Sequence, residues 1–216
     1  MKMGKAMANI IGRILCSSIK NLFDNQPTIF EFTSETGETE WNLACHLSHE
    51  NRKYIFWLDN DVELTKANHN NKRPDIVFHK RGIHALNFLV IELKHRGADT
   101  SKDIKRIREQ WTRRNLSYRF GASIRIINSE DYSVYLTAGN ESYTYNYETK
   151  YISSNNISSD VRNKLDGFVN KILNITKDED YSDNPEKQAK VKRLEKEIDK
   201  LVYELYELTP EEIEVV

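Results

Sequence analysis

The sequence predicts an α/β fold in which a mixed central sheet is flanked by helices and followed by a helical appendage. Two observations support the sheet domain: apolar runs of strand length, and intervening segments whose apolar residues recur at helical spacing. A third observation, an acidic stretch before a long helical repeat, predicts the appendage. At 216 residues the chain has room for both. We therefore expect a sheet domain over residues 1–176 and an acidic linker with a helical tail over residues 177–216.

The composition argues against several classes of protein. Hydrophobic residues make up 38% of the chain and charged residues 30%, which is typical of a soluble globular protein. No apolar run reaches the length needed to cross a bilayer. The two cysteines, Cys16 and Cys45, form neither a zinc-ligand spacing nor a disulfide framework. We expect a cytoplasmic protein with no membrane partner.

The net charge of -1 conceals two regions of opposite sign. Residues 72–125 contain 14 Lys and Arg against 5 Asp and Glu, whereas residues 177–216 contain 7 against 13. This asymmetry predicts that the central region contacts a polyanion such as DNA, while the tail has another role.

Two helices are predicted before the sheet. Residues 9–24 carry apolar residues at helical spacing and predict a packing helix. Residues 38–49 predict a second helix, in which Glu40 shares a face with Leu43. An acid on the face directed at a sheet needs a partner or a metal ion. Alternatively, Glu40 simply occupies the first turn, where the helix dipole favours a carboxylate.

Three strands are predicted next. Residues 53–64 predict the first strand, which ends in several acids including Glu63. The apolar runs 76–78 and 85–91 predict two further strands, joined by a short basic loop around Gly82. We expect these two runs to pair as a hairpin.

Two carboxylates and a lysine are expected to meet at one end of this hairpin. Glu92 and Lys94 lie two residues apart, so they project from the same face of a strand. Asp75 follows Pro74 at the start of the preceding strand, and hairpin pairing brings it beside Glu92. Paired carboxylates suit Mg²⁺ or Mn²⁺, and the lysine can orient water or stabilise charge on a phosphate. The alternative is a salt-bridged strand end without chemistry.

These residues resemble the PD-(D/E)XK nuclease superfamily. Pro74-Asp75 and Glu92-Leu93-Lys94 match its two signature motifs, and RPDIVFHKRG followed by NFLVIELK looks like a group of small nuclease-like proteins within it. The resemblance covers roughly residues 36–137. It implies a restriction-endonuclease-like α-β-β-β-α-β core and phosphodiester hydrolysis that depends on Mg²⁺ or Mn²⁺.

The resemblance also implies roles for individual residues. Asp75 and Glu92 would bind the metal ion, and Lys94 would position or activate water. The family often has a further glutamate on the first core helix, which Glu40 matches, with Glu63 as the alternative third acid.

A basic helix follows the motif. Residues 102–117 place Ile104, Ile107 and Trp111 on one face and mostly basic residues on the others. Such a helix can draw DNA towards an acidic site, although a solvated charged helix fits the same pattern. The residues that we expect to contact the phosphate backbone are Arg73, Lys80, Arg81, Arg96, Lys105, Arg106 and Arg113.

The remaining strands are predicted over residues 118–127, 132–137 and 143–151, the last two forming a hairpin about Gly139-Asn140. Three tyrosines share one face of that hairpin, where they either stack on bases or pack in the ordinary way: Tyr143, Tyr145 and Tyr147.

Two further helices are predicted, one at the end of the sheet domain and one in the tail. Asp160 is expected to cap a helix that runs to about residue 175. Beyond it, LEKEIDKLVYELYELTPEEIEVV resembles the C-terminal tail of restriction-modification proteins. So short a seam needs a second subunit, giving a homodimer, or the body of the domain. The seam consists of Val191, Leu194, Ile198, Leu201, Leu205 and Leu208.

Two functions on the nuclease-like fold remain in competition at this point, beside a coiled-coil adaptor in which the tail alone would recruit a partner. The first is a DNA endonuclease of restriction or defence type. The second is a catalytically inactive nucleic-acid-binding or assembly module on the same fold. The two differ in whether a metal ion is bound and whether substrate is consumed.

Overall fold

The computed structural model describes residues 3–31, 39–62, 73–81, 84–95, 99–112, 117–152 and 158–206, with single residues beyond. The chain divides into two compact units. The sheet unit comprises Ala8–Ile152, and the C-terminal unit comprises Met1–Met7 with Ser153–Val216. None of the described helices is both long and apolar enough to cross a bilayer.

A six-stranded sheet forms the centre of the sheet unit, and its strands lie in chain order. Among the described strands, only β3 and β4 pair in parallel; every other neighbouring pair is antiparallel. The predicted mixed α/β fold is therefore confirmed. The strands are β1 (Asp59–Val62), β2 (Ile76–His79), β3 (Leu89–His95), β4 (Phe120–Ile126), β5 (Tyr132–Ala138) and β6 (Glu141–Asn146).

Helices precede, interrupt and follow these strands. Parallel neighbours require a crossover, and a helical segment between β3 and β4 supplies it. This segment begins as an α-helix and continues as a π-helical segment over Ile107–Trp111. The α-helices are α1 (Met3–Asn25), α2 (Thr39–Tyr54), α3 (Ser101–Arg106), α4 (Ser159–Thr176) and α5 (Pro185–Leu205).

The boundary between α2 and β1 differs from the prediction. The helix extends to Tyr54, and β1 begins only at Asp59, so the prediction of a strand from residue 53 was wrong there. Lys53 belongs to the last helical turn, where its ammonium pairs with Glu50 one turn earlier, 2.6 Å away. Glu63, the alternative third acid, lies outside the described residues.

The second and third strands pair as the predicted hairpin, in register Ile76 with Ile91. β3 starts later than predicted, because a short 3₁₀ turn occupies His84–Leu86. The predicted loop around Gly82 lies outside the described residues.

One face of the sheet packs tightly against the helical crossover. Val77, Val90, Ile107 and Trp111 belong to one buried cluster on this face. Gly121 in β4 permits the close approach, since a Cβ there would lie 2.3 Å from Cγ2 of Ile107. This contact therefore sets the distance between the crossover and the strands that carry the predicted site.

The hairpin at the far edge of the sheet forms about the predicted turn, with Gly139 at φ +62°, but its second strand ends at Asn146 and not at the predicted residue 151. Tyr145 packs in the ordinary way: its ring fills the space that a Cβ at Gly12 would occupy, and its hydroxyl donates to the carbonyl of Ala8 at 3.2 Å. Tyr147 lies beyond the end of β6 and is 46% exposed.

In the C-terminal unit, α4 and α5 pack against each other. The predicted cap at Asp160 was wrong, because the Ser158 hydroxyl accepts from the Val161 N–H at 3.3 Å and Asp160 lies inside the first turn. Of the predicted seam, Val191, Ile198 and Leu208 are buried. Because α5 packs on α4 within one chain, the units divide before α4, whereas the sequence grouped α4 with the sheet domain. The homodimer stays a prediction.

Candidate active site

Hairpin pairing brings Asp75 and Glu92 to the same end of the sheet. The last residue pair in the antiparallel register of β2 and β3 is Ile76 with Ile91, so Asp75 and Glu92 lie opposite each other just beyond it. The Asp75 N–H donates to the Ile91 carbonyl at 3.1 Å. Its carboxylate accepts from the backbone N–H of Leu93. The strands thus hold Asp75 from both its backbone and its side chain.

Glu92 is buried beneath the helical crossover, with 3% of its surface exposed. Its Oε1 accepts from the indole N–H of Trp111 at 2.8 Å, and its Oε2 accepts from Nη1 of Arg106 at 3.1 Å. Burial, followed by repulsion from Asp75, raises the pKa of Glu92 to about 7, although the Trp111 and Arg106 contacts oppose the rise. Because its pKa is raised, binding of a cation there would favour release of a proton.

Lys94 lies on the same face of β3 and pairs with Glu40 from α2. Its ammonium is 3.2 Å from Oε2 of Glu40, whose Oε1 accepts from the His95 N–H at 3.4 Å. Partial burial works against the charged lysine, but Glu40, with Asp103 and Asp75, outweighs it, so the pKa of Lys94 is raised. Lys94 is thus a cation at neutral pH and acts as a hydrogen-bond donor rather than a base.

Glu40 is placed differently from the buried ligand that the sequence suggested. It lies in the first turn of α2, and its side chain is 47% exposed. Glu40 therefore contacts the site by its ion pair with the Lys94 ammonium. This position agrees with the interpretation that the helix dipole favours a carboxylate in the first turn, whereas a metal-ligand role for Glu40 stays a prediction.

Asp103 is a site residue that the sequence analysis missed. It is 3% exposed, and its Oδ1 lies 3.5 Å from Nη2 of Arg106. Its Oδ2 is buried and has no hydrogen-bond partner among the residues that the structure describes. Asp103 precedes Ile107 by four residues and Trp111 by eight, so the stripe rule that singled out Glu40 also identifies it.

Ser123 lies directly opposite Glu92 in the register of β3 and β4. Within the described part of the chain, its buried hydroxyl has no hydrogen-bond partner. Because buried polar groups are nearly always paired, unpaired oxygens at Ser123 and Asp103 indicate that water or an ion belongs beside Glu92.

The donor set at this end of the sheet fits a hard divalent cation. Mg²⁺ is commonly held by one or two carboxylates together with waters and substrate phosphates, and Asp75 and Glu92 supply two. The sequence predicted three carboxylate ligands for the metal ion, Asp75, Glu92 and Glu40. In the structure Glu40 does not join the other two, since it pairs with Lys94. Across the residues described, no three His, Cys, Asp or Glu side chains converge as a metal site.

The π-helical segment explains how the crossover reaches Glu92. The N–H of Thr112 donates to the carbonyl of Ile107 at 3.0 Å, five residues back. π-helical turns are frequent at functional sites. Here the turn packs Ile107 over Gly121 and directs the indole of Trp111 to Glu92.

Two of the predicted phosphate-binding residues lie at the other end of β2. Lys80 is 3.5 Å from Asp59, and Arg81 pairs with Asp61. Five residues along a strand separate Lys80 from Asp75 by about 17 Å. Because both cations are neutralised by acids, we expect them to contribute less to phosphate binding than unpaired basic residues nearer the site.

The other predicted phosphate-binding residues divide into three groups. Arg73 is exposed and lies two residues before Asp75 in the chain. Lys105 is exposed and precedes Arg106. Arg106 faces inward to Glu92. Arg96 and Arg113 lie outside the described residues. Phosphate contact by any of them stays a prediction.

Comparison of this chain with protein-family models, with curated proteins and with solved structures finds no match.

Proposed function

We propose that this chain is a metal-dependent nuclease that hydrolyses DNA phosphodiester bonds, built on a restriction-endonuclease-like core. The observation that carries the proposal is the meeting of Asp75, Glu92 and Lys94 on one face at one end of the sheet. The chain order α2-β1-β2-β3-α3-β4 supports the core assignment, because it is the α-β-β-β-α-β order that the resemblance implies.

Each side chain has a defined task in this proposal. Asp75 and Glu92 would hold Mg²⁺ or Mn²⁺, which when bound polarises a phosphoryl oxygen and lowers the pKa of water. Lys94, an ammonium at neutral pH, donates hydrogen bonds to the attacking water or to the oxygens on which charge develops. Glu40 positions Lys94 by pairing with its ammonium.

The charge distribution favours a nucleic-acid substrate, and the proposal takes it to be DNA. Residues 72–125, which contain the site, carry the excess of basic residues. Arg73 and Lys105 are exposed near the carboxylates, where they can hold the phosphate backbone. The tail resemblance points to restriction or defence in the cytoplasm.

A second candidate is a nucleic-acid-binding module without turnover. One observation favours it: two acids of the site are already paired with cations, Glu92 with Arg106 and Glu40 with Lys94. A protein that bound DNA for assembly alone would keep such pairs.

Plasmid cutting separates the two candidates. Supercoiled plasmid is incubated with the purified chain in Mg²⁺, Mn²⁺ or EDTA, beside Asp75→Asn and Lys94→Met. Lys20→Met, which removes an exposed charge paired with Asp24 on α1, is the matched control. The nuclease cuts only with metal, and both site variants lose cutting while the control retains it. Salt-sensitive binding without cutting of plasmid, linear, single-stranded DNA or RNA would establish the binding module.

A further inference from the structure

We propose that Arg106 exchanges between two carboxylates, Glu92 and Asp103, and thereby controls the access of a divalent cation to Glu92. The inference rests on the proposed function, because it concerns the same carboxylates. Its starting point is the position of the guanidinium, which donates through Nη1 to Glu92 and directs Nη2 towards Asp103.

The two contacts of Arg106 are unequal. The distance from Nη1 to Oε2 of Glu92 is 3.1 Å, within the range of a good hydrogen bond. The distance from Nη2 to Oδ1 of Asp103 is 3.5 Å, which is beyond that range. Arg106 is therefore hydrogen-bonded to Glu92 and forms a longer ion pair with Asp103.

Asp103 has unused capacity for the guanidinium. Its Oδ2 has no hydrogen-bond partner in the described ranges, although the residue is 3% exposed. A buried carboxylate oxygen without a donor costs free energy. The planar fork of an arginine can bind both oxygens of a carboxylate at once, so a shift of Arg106 towards Asp103 would satisfy that oxygen.

Only one of the two groups on Glu92 can yield to a cation. Trp111 donates to Oε1 of Glu92, and its ring is buried in an apolar cluster. The indole is therefore held in place. Arg106 donates to Oε2 and is 26% exposed, so it has room to move. A cation that binds Glu92 would therefore take Oε2 and displace the guanidinium.

The exchange leaves Glu92 with a cationic partner in both states. With Arg106 on Glu92, the buried acid is neutralised without a metal ion. With the cation on Glu92, Arg106 neutralises Asp103, and its positive charge remains within the site, where a phosphate is to be bound. Arg106 thus pairs with Glu92 when no cation is bound and with Asp103 when a cation occupies Glu92.

Calorimetric titration of the full chain with Mn²⁺ tests the exchange. Four proteins are compared with the wild type at pH 8.5: Arg106→Met, Asp103→Asn, the double variant and Arg108→Met. Arg108 is a matched control because it lies two residues further along the crossover, is exposed, and bonds to Tyr135 and Ser142 instead of an acid.

The exchange predicts changes of opposite sign. Arg106→Met binds Mn²⁺ about tenfold more tightly, because the competitor for Oε2 is gone. Asp103→Asn binds about tenfold more weakly, because the guanidinium has lost its second carboxylate. In the Arg106→Met background, Asp103→Asn changes the affinity by less than about twofold, since Asp103 acts through Arg106. Arg108→Met stays within about twofold of the wild type.

Three results would overturn the proposal. If the effects of the two substitutions multiply in the double variant, Asp103 acts independently, either as a ligand or as a nearby charge. If Arg106→Met leaves Mn²⁺ affinity unchanged while the wild type binds, there is no competition, and the nuclease proposal survives alone. If none of the proteins binds Mn²⁺, the metal site of the proposed function fails as well.

Wild-type protein supplies a second measurement in case a substitution prevents folding, which circular dichroism would show. The Nε–H signal of Arg106 is followed by NMR during titration with Mg²⁺. A shift that saturates with the cation supports release from Glu92. A signal that stays constant while other site signals saturate contradicts it.

Discussion

The two ends of β2 carry clusters of acids and bases, yet their acids are in different states. At one end His79 lies 2.8 Å from the Asp61 carboxylate, and Arg81 pairs with the same group. Burial works against the charged form, but these hydrogen bonds outweigh it and hold the pKa of Asp61 below its usual value. At the other end, burial and the nearby Asp75 raise the pKa of Glu92 to about 7.

The difference lies in the balance of charge rather than in the residue types. Asp61 has two basic partners, so its cluster is internally neutralised. Glu92 has one guanidinium but two acidic neighbours, Asp75 and Asp103. A buried group of acids that is short of positive charge is suited to take up a cation, whereas a neutralised cluster is not. The comparison therefore favours the Glu92 end as the proposed metal site.

The largest expected effect is on catalysis. Asp75→Asn lowers metal-dependent plasmid cutting by at least about 100-fold, because the substitution removes a carboxylate at the reacting centre. Asp61→Asn, a change of the same kind at the other end of β2, leaves cutting within about threefold of the wild type. Initial nicking rates measure both. A comparable loss in the two variants would remove the functional distinction between the two ends.

The next effect is on the pH dependence of stability. The pKa of Glu92 is raised from 4.5 to about 7, so the native state binds its proton more tightly than the unfolded chain does. This contribution to the free energy of unfolding is present below the unfolded pKa and is lost as the pH rises through the folded pKa. The loss between pH 4.5 and 7 amounts to as much as about 3 kcal/mol.

Urea unfolding of wild type and Glu92→Gln at pH 5 and pH 8 measures this contribution. The neutral amide removes the titration, so the variant gains stability relative to the wild type at pH 8 compared with pH 5. Asp61→Asn behaves in the opposite sense, because the pKa of Asp61 is lowered: it loses stability at neutral pH, and the loss shrinks as the pH falls below 3.8. Parallel pH profiles for the two variants would contradict the comparison.

A smaller effect concerns the packing that buries Glu92. Gly121→Ala places a Cβ 2.3 Å from Ile107, so it destabilises the fold by about 1–3 kcal/mol and displaces the crossover that carries Trp111. Gly167→Ala in α4, where a Cβ has nothing within 4 Å, stabilises by about 0.5–1 kcal/mol. Thermal unfolding measures both. Stabilisation by Gly121→Ala would show that the crossover approaches less closely.

The smallest effect distinguishes the basic residues at the two ends. DNA affinity is measured over a range of salt concentrations for Lys105→Met and Arg81→Met. Each lost phosphate contact lowers the slope of log K against log salt by about 0.9. We expect this change for exposed Lys105 and a smaller one for Arg81, which is already paired with Asp61. Equal changes would show that the Asp61 cluster opens to bind DNA.

Sequence reasoning located the acids through two periodicities. The two-residue repeat of a strand puts Glu92 and Lys94 on one face, and hairpin pairing then requires Asp75 to stand beside them. The helical stripe brought Glu40 to the site. The same rule applied to the crossover identifies Asp103, which was missed because the many basic residues around it suggested a surface helix.

Other features had no local signal. Arg106 was predicted to contact DNA from outside, yet it faces Glu92. The segment Ile107–Trp111 was predicted as part of an α-helix, but it is π-helical. Its residue Ile107 packs against Gly121, which lies in a strand that comes later in the chain. Packing across the sheet therefore set the path of the crossover.

The sequence by itself determined which residues share a face and which strands meet, since backbone periodicity and short connections are local properties. The tertiary structure alone decided which charges are paired and which acid holds a proton. Protonation depends on burial and on neighbouring charges within a few ångströms, and for Glu92 these come from Trp111 and Arg106 on the crossover and from Asp75 on another strand.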